Sequence, residues 1–299
     1  MDFQRARSEE QREHRRQAIL ATAAAMLTEM PVAQVSLNEL SRRVGLAKSN
    51  VLRYFESREA VLLEVLDTEV REWVTDLQRQ ATQPTPETLT ERIEHLTTAI
   101  ATSLASRPVL CDLLHAESGV LEHNVSVDIV LRHKHATQHA AAAIADTITT
   151  ALPEVTPHDA EEVIVTLLLV GAAAWPYAQP SEALTTAYQQ DPTVAAMHRN
   201  FTTIVQRTLS LTTRGLLAHN DAMRSAGLRP PTKPETAREA PDRGDNPPDT
   251  VQLGAPKPKG RPDSMKAEHF ASVERGVELV CEPGPAPLTD QLQHNSETR

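Results

Sequence analysis

The spacing of apolar residues is the feature that most constrains the fold of this chain. Over the first 220 residues they recur every three or four positions, and no segment shows the alternation, bounded by turns, that is typical of a strand. Residues 160–177 are the extreme case, because 163–170 leave almost no polar side over two turns. Such a helix needs cover on all sides. The pattern predicts an all-α fold of about nine helices.

Prolines, glycines and capping residues set the expected helix ends. The first helix stops before Pro31, and Ser36 followed by Glu39 is a capping-box pattern that opens a short helix ending at Gly45. Ser57 is the expected N-cap of a long fourth helix. The helices are expected at 13–30, 36–45, 48–54, from 57, from 89 to about 104, 108–121, 125–152, 156–177 and 193–219.

Charge is distributed unevenly along the chain. Residues 1–60 hold ten basic and eight acidic residues, for +2, whereas residues 61–299 hold twenty and thirty-two, for −12, within a total of −10. Only the N-terminal part is therefore a plausible partner for phosphates. We expect a flexible N-terminus over 1–11, a DNA-binding domain over 12–56, a helical domain over 57–228 and a tail over 229–299.

The expected tail differs from the rest in composition, since it holds twelve of the twenty-one prolines and one aromatic residue. Such a segment buries too little apolar surface to offset chain entropy, so we predict that it is disordered.

The cysteines and the apolar segments indicate the cellular compartment in which the protein works. Cys111 and Cys281 form neither a disulfide framework nor a zinc-binding spacing, which suits a reducing compartment. The N-terminus shows no signal-peptide pattern, and the most apolar stretch, 163–174, is short of the ~20 residues of a bilayer span. We expect a cytoplasmic protein with no membrane partner.

Residues 36–55 predict a helix-turn-helix, in which the second of two short helices lies in the major groove. Gly45 permits the turn, and Leu46 fills it. Four outward side chains can donate to phosphates or base edges: Lys48, Ser49, Asn50 and Arg53. The small core is expected to hold Leu37, Leu40, Val44, Val51 and Phe55. An ordinary helical hairpin with a solvated polar face is the alternative.

The run from Ile19 to about Val65 resembles the DNA-binding domain of TetR-family regulators. The resemblance lies in the small helix through residues 48–55 and in Ser57-Arg-Glu-Ala60, which opens the fourth helix. It implies that the four outward residues read bases or nearby phosphates, that Tyr54 touches the backbone, and that Ser36 and Arg58 anchor flanking phosphates. Leu52 departs from the aromatic residue often found there, so its contact would be apolar, for example to a thymine methyl.

For the remainder, the resemblance implies a helical domain that dimerises and binds a small-molecule effector. Two such domains would place two reading helices on a palindromic operator, about 34 Å apart. Members of this family usually repress transcription, although the residues do not exclude activation. The expected dimer contacts, with burial inside one protomer as the alternative, are Val163, Leu167, Val170, Phe201, Ile204, Val205 and Leu209. The expected effector contacts, with plain core packing as the alternative, are Trp73, Leu113, His115, Glu117, Val120, Ile129, Trp175 and Tyr177.

Two further readings remain. His135 and His139 have the i, i+4 spacing of a metal pair, but no carboxylate or cysteine completes the set in sequence, so no metal site is expected. The chain has no dinucleotide, P-loop, nucleophile-elbow or zinc-protease motif, so neither an enzyme nor a cofactor is expected. A helical interaction module, or a helical enzyme whose hairpin does not bind DNA, is the alternative function.

Overall fold

The computed structural model describes residues 2–81 and 87–228, and within them the side chains of 9–80 and 87–228. The tail predicted over 229–299 lies outside the described residues. The described residues form helices and no strand, which confirms the all-α prediction. The helices are α1 Asp2–Glu29, α2 Leu37–Val44, α3 Lys48–Val51, α4 Arg58–Ala81, α5 Leu89–Ala105, α6 Pro108–Ala116, α7 Val127–Ala151, α8 Pro157–Ala174, α9 Glu182–Gln190, α10 Pro192–Ala195 and α11 Phe201–Ser225.

Short turns extend several of these helices. A 3-10 turn, Val32–Gln34, follows α1, and another, Trp175–Ala178, continues α8. A π-helical turn, Glu117–Leu121, continues α6 to the predicted end of that helix. π-helical turns are rare and often lie at functional sites.

Both ends of the described chain carry helices beyond the expected bounds. Residues 2–11 continue α1 as helix, since they are rich in Gln, Arg and Glu, which favour helix; the flexibility of these residues stays a prediction. The single helix expected over 193–219 is divided into α10 and α11. Asp191 caps α10, and Asn200 accepts the Thr203 N–H at 3.0 Å to start α11. The helix α9 was not predicted.

The first four helices share one small core. Ile19 and Met26 of α1, Leu40 of α2 and Val51 of α3 are fully buried or nearly so, together with Phe55. Arg16 of α1 forms an ion pair with Glu64 of α4, and its guanidinium lies over the Phe55 ring at 4.8 Å from the centroid. These contacts hold the short α2 and α3 against two long helices.

The remaining helices pack around a second apolar region that continues the first. α11 packs against α5 and α8, while α7 packs between α4 and α8. Trp175, after α8, meets Phe201 edge to face at 5.4 Å between ring centroids. Because α4 contributes to both regions, it links the N-terminal helices to the rest of the protein.

The apolar helix α8 is not covered on all sides as expected. Ala160, Val163, Ile164 and Leu167 are buried, but Leu169 is 67% exposed and Val165 is half exposed. Residues Pro157–Ala178 are also long and apolar enough to span a membrane, contrary to the sequence expectation. The buried helix of a globular core meets the same criterion, and the packing of α8 against α6, α7 and α11 matches that case.

Candidate nucleic-acid interface

The turn between α2 and α3 is set by the backbone at Gly45. Its φ of 74° and ψ of 28° lie in the left-handed region, where glycine alone carries no steric cost. The Gly45 N–H donates to the Arg42 carbonyl at 3.2 Å, and the Leu46 N–H donates to the Ser41 carbonyl at 3.0 Å. This pair of bonds is a Schellman motif, which ends α2 and redirects the chain into α3.

The start of α2 is held by a cap and an ionic network. Ser36 Oγ accepts the Glu39 N–H at 3.2 Å, as the sequence pattern predicts. Hydrogen bonds from Arg42 and Arg43 to the Glu39 carboxylate lower its pKa to about 2. Arg43 also pairs with Glu29 of α1 at 2.7 Å. The two arginines of α2 therefore already have acidic partners.

The second helix, α3, is a single turn that presents polar residues to solvent. Val51 is fully buried and orients the turn, which leaves Lys48, Ser49 and Asn50 exposed. Tight turns continue to Tyr54, with Arg53 exposed and Leu52 42% exposed. The four outward side chains expected from the sequence, and Leu52 beside them, therefore lie on the surface.

The positive charge of α3 is not neutralised locally. Within the described part of the chain, no side-chain hydrogen bond or ion pair engages Lys48, Asn50 or Arg53, in contrast to the arginines of α2. These donors therefore remain available to phosphate oxygens and base edges.

Three flanking residues have different environments. Ser36 is exposed, and its hydroxyl hydrogen can still donate while the oxygen caps α2. Tyr54 is partly buried and packs against the core. Arg58 is bound internally: Nη2 donates to the Val32 carbonyl at 2.5 Å and Nη1 to Glu59 Oε1 at 3.1 Å. Arg58 would have to release these partners to contact a phosphate.

Comparison with known families covers most of the described chain. Residues 19–65 match the tetR family of bacterial regulatory proteins, and residues 67–220, just over half of the chain, match the tetracyclin repressor-like C-terminal domain. The chain belongs to the TetR family. Its helix-turn-helix is that family's DNA-binding domain, and members of the family are transcriptional regulators rather than enzymes.

The curated relatives match only a short part of the chain. The HTH-type transcriptional regulators EthR of Mycobacterium tuberculosis and Mycobacterium bovis are 40% identical over 67 residues, or 22% of this chain. The match spans only 31% of the length of these relatives.

Two solved structures match a larger part of the chain with weaker similarity. A TetR transcriptional regulator from Rhodococcus sp. RHA1 is 17% identical, with a TM-score of 0.43 over 68% of this chain and 97% of its own. The fatty acid degradation regulator FadR from Bacillus halodurans is 14% identical, with a TM-score of 0.44 over 67% and 98%.

The expected effector residues of this TetR-family chain lie in different environments. Trp73 and Leu113 are buried, and Trp73 Nε1 donates to Ser103 Oγ at 3.1 Å. Trp175 is buried against Phe201, and Ile129 is partly buried. The remaining members lie at the surface or in an ionic cluster: His115, which contacts the Ala172 carbonyl at 3.0 Å, Val120, Tyr177 and Glu117. Their role stays a prediction.

Most of the expected dimer contacts are buried inside the single chain, which is the alternative that the sequence leaves open. Five of the seven side chains point into its core, each with at most 3% of its surface exposed: Val163, Leu167, Phe201, Val205 and Leu209. Val170 and Ile204 are partly buried. The helical period identifies an apolar face, but α8 is apolar on both sides, and the sequence does not indicate which side meets the rest of the chain. The exposed large apolar residues of α8 and α11 are Val165, Leu169 and Leu211.

An ionic cluster around the buried His133 joins α4, α7 and the π-helical turn that follows α6. His133 is 3% exposed; its Nδ1 lies 2.6 Å from Asp67 Oδ1, and its Nε2 lies 2.9 Å from Glu117 Oε1. Burial alone would lower the pKa of His133, but the hydrogen bonds to Asp67 and Glu117 outweigh it and raise the pKa to about 9. Lys134 contacts both Glu117 and Glu122. No pattern in the sequence singles out His133.

Proposed function

We propose that this TetR-family chain is a dimeric repressor that binds a palindromic operator through α2 and α3 and releases it on binding a small molecule. The observation that carries the operator contact is the α3 surface. There, Lys48, Asn50 and Arg53 have no side-chain partner among the described residues, while Val51 fixes the turn beneath them. Lysine and arginine suit phosphates and guanine, and asparagine can pair bidentately with adenine.

Dimerisation is supported by the exposed apolar residues of α8 and α11. Leu169 and Leu211 are 67% and 59% exposed. Large exposed apolar side chains on two helices that pack against each other are compatible with a protein interface. A two-fold axis through this surface would present two α3 helices to successive major grooves, about 34 Å apart.

The environment of Trp175 supports effector binding near this residue. Its Nε1 is buried without a hydrogen-bond partner among the described residues, although the ring packs tightly on Phe201. An unsatisfied buried donor is costly, and a ligand acceptor would satisfy it. The two DNA-binding domains of the dimer can adopt different spacings. A ligand that binds more tightly to the dimer with one of these spacings would shift the population toward that state.

The site of action is the cytoplasm, where DNA is accessible. The buried Cys111 is free, and burial together with the nearby Asp112 charge raises the pKa of its thiol to about 12. An unreactive buried thiol is compatible with a reducing compartment.

The test is fluorescence anisotropy of the purified chain with fragments of its own upstream DNA. Lys48→Ala should weaken binding to every sequence and reduce the salt dependence by about one phosphate contact. Asn50→Ala should reduce the difference in binding free energy between the operator and unrelated DNA by about 1–3 kcal/mol. Arg132→Ala, at an exposed position on α7, is the matched control and should leave affinity unchanged.

Opposite outcomes would favour the other readings. Absence of binding to any genomic fragment would exclude the operator contact and leave an interaction module. Binding that survives both α3 substitutions would place the DNA contact elsewhere.

A further inference from the structure

The ionic cluster around His133 has the donor groups of a metal site. Glu117, Glu122 and His133 each offer one ligand atom, and the three atoms lie within 4.8 Å of one another. His133 Nε2 lies 2.9 Å from Glu117 Oε1 and 3.8 Å from Glu122 Oε1. At metal–ligand bonds of about 2.1 Å, these separations subtend roughly 90° and 130°, within the range of four- and five-coordinate sites.

The second imidazole nitrogen provides an independent observation. His133 Nδ1 lies 2.6 Å from Asp67 Oδ1 of α4, and the ring is almost fully buried. In protein metal sites, the non-ligating nitrogen of a histidine commonly donates to a carboxylate, which fixes the ring and its tautomer. Asp67 holds His133 in this way, with Nε2 directed at the two glutamates.

The glutamates already attract a cation. Lys134 Nζ lies 3.2 Å from Glu117 Oε1 and also contacts Glu122 Oε1. Glu122 Oε1 is buried, and the cationic Lys134 ammonium and the His133 Nε2, at 3.8 Å, both lie against it. The Lys134 side chain is 46% exposed and can swing outward, which gives an ion a path to the carboxylates.

We propose that Glu117, Glu122 and His133 bind a divalent transition-metal ion such as Zn²⁺, with Asp67 as the positioning residue. The ion takes the place of the Lys134 ammonium and of the proton on His133 Nε2, which leaves to solvent. Two carboxylates and one imidazole suit Zn²⁺ and neighbouring transition metals better than Ca²⁺, which prefers oxygen ligands alone.

Loading would connect three elements. Glu117 lies in the π-helical turn, Glu122 follows it, and His133 lies on α7. Asp67 adds α4, the helix that begins three residues after Phe55. The ion would therefore hold two elements, α7 and the π-helical turn that follows α6, against α4, the helix that joins both domains.

The test measures zinc bound to the full chain without DNA, so it is independent of operator binding. The protein is stripped with EDTA, equilibrated with ZnCl₂, desalted and analysed for zinc, and affinity is obtained by competition with a chromophoric chelator. We expect about one Zn²⁺ per chain, and at least tenfold weaker binding in Glu122→Gln and Glu117→Gln. The Lys134→Met variant should bind Zn²⁺ more tightly than wild type, because it lacks the ammonium that competes with the ion for the two carboxylates.

The control is the double variant His135→Asn/His139→Asn, which removes the exposed pair on the same helix and should retain the zinc. Circular dichroism checks that each variant is folded; Glu122 and Lys134 are partly exposed, so their variants decide the result if Glu117→Gln unfolds. No bound zinc, loss only in the double variant, or unchanged or weaker affinity in Lys134→Met would overturn the proposal.

Discussion

Gly45 illustrates how a single backbone conformation shapes the DNA-binding domain. A Cβ at this position would meet no atom within 4 Å, so space does not limit the side chain. The constraint is the φ of 74°, which a residue with a Cβ adopts only at a cost of about 1–2 kcal/mol. The glycine is therefore required by conformation rather than by packing.

Replacement of Gly45 tests this reasoning directly. Gly45→Ala should lower the free energy of unfolding by about 1 kcal/mol, and Gly45→Asn by less, because asparagine tolerates the left-handed region. Gly119→Ala is the matched control, since that glycine also has open space around it but no positive φ. Chemical denaturation gives the three values, and equal losses at both positions would contradict the conformational explanation.

Among the helix contacts, the α5–α11 pair is held by a carboxylate with three donors. Glu94 Oε1 accepts from Arg214 Nη2 at 2.8 Å and from Ser210 Oγ at 2.7 Å, and Oε2 accepts from Gln206 Nε2 at 2.6 Å. The hydrogen bond from Arg214, followed by that from Ser210, lowers the pKa of Glu94 below its ordinary value. Glu94 is partly exposed, so solvent screens the interaction.

The lowered pKa of Glu94 fixes the sign of its pH dependence. Its contribution to stability is fully present above the unfolded pKa of about 4.3 and is lost as pH falls through the lower folded pKa. Wild type should therefore be more stable than Glu94→Gln at neutral pH, and the difference should shrink below about pH 4.3. Thermal melts from pH 3 to 7 measure it, with Glu182→Gln on α9 as an exposed control. A difference that grows toward acid pH would contradict this assignment.

Helix ends were predictable where the cap and the periodic pattern agree. Ser36 and Thr156 cap α2 and α8 through the N–H three residues later. The break before α11 was missed because Asn200 lies between two segments that are each compatible with one helical period. Its capping role became visible only with the backbone in place. Local chemistry thus gives the presence of most helices, whereas a break within a continuous pattern needs tertiary information.

Site residues followed the same division. The outward residues of α3 could be predicted because the turn at Gly45 and the buried Val51 fix the register within a few positions. The His133 cluster could not be, since Asp67 and Glu117 lie 66 and 16 residues away in sequence. Contacts at such separations depend on how α4 and α7 pack, which periodicity does not specify.

At the scale of the whole molecule, direct hydrogen bonds connect the N-terminal helices to the larger domain. The Val32 N–H donates to Asp112 Oδ2 of α6 at 2.6 Å, and the Ser126 N–H, just before α7, donates to Glu56. With the continuous α4, these bonds make the position of the DNA-binding helices depend on α6 and α7. The arrangement gives the proposed effector a physical route to the operator contact.

The proposed dimer provides the last prediction. Leu169→Glu and Leu211→Glu each place a charge on the exposed apolar surface of α8 and α11, so a dimer that buries this surface should dissociate to monomers. Both side chains are largely exposed in the protomer, so the fold should be retained. Val127→Glu, at a 73% exposed position on α7, is the control and should remain dimeric.

Light scattering coupled to size exclusion gives the mass, and anisotropy gives operator affinity in the same samples. If the proposal is correct, the two leucine variants have the molar mass of a monomer and bind the operator more weakly, because binding of one DNA-binding domain no longer positions a second one on the operator. A wild-type chain that is monomeric, or leucine variants that stay dimeric, would place the interface elsewhere. Variants that become monomeric yet bind the operator with unchanged affinity would show that one protomer suffices for recognition.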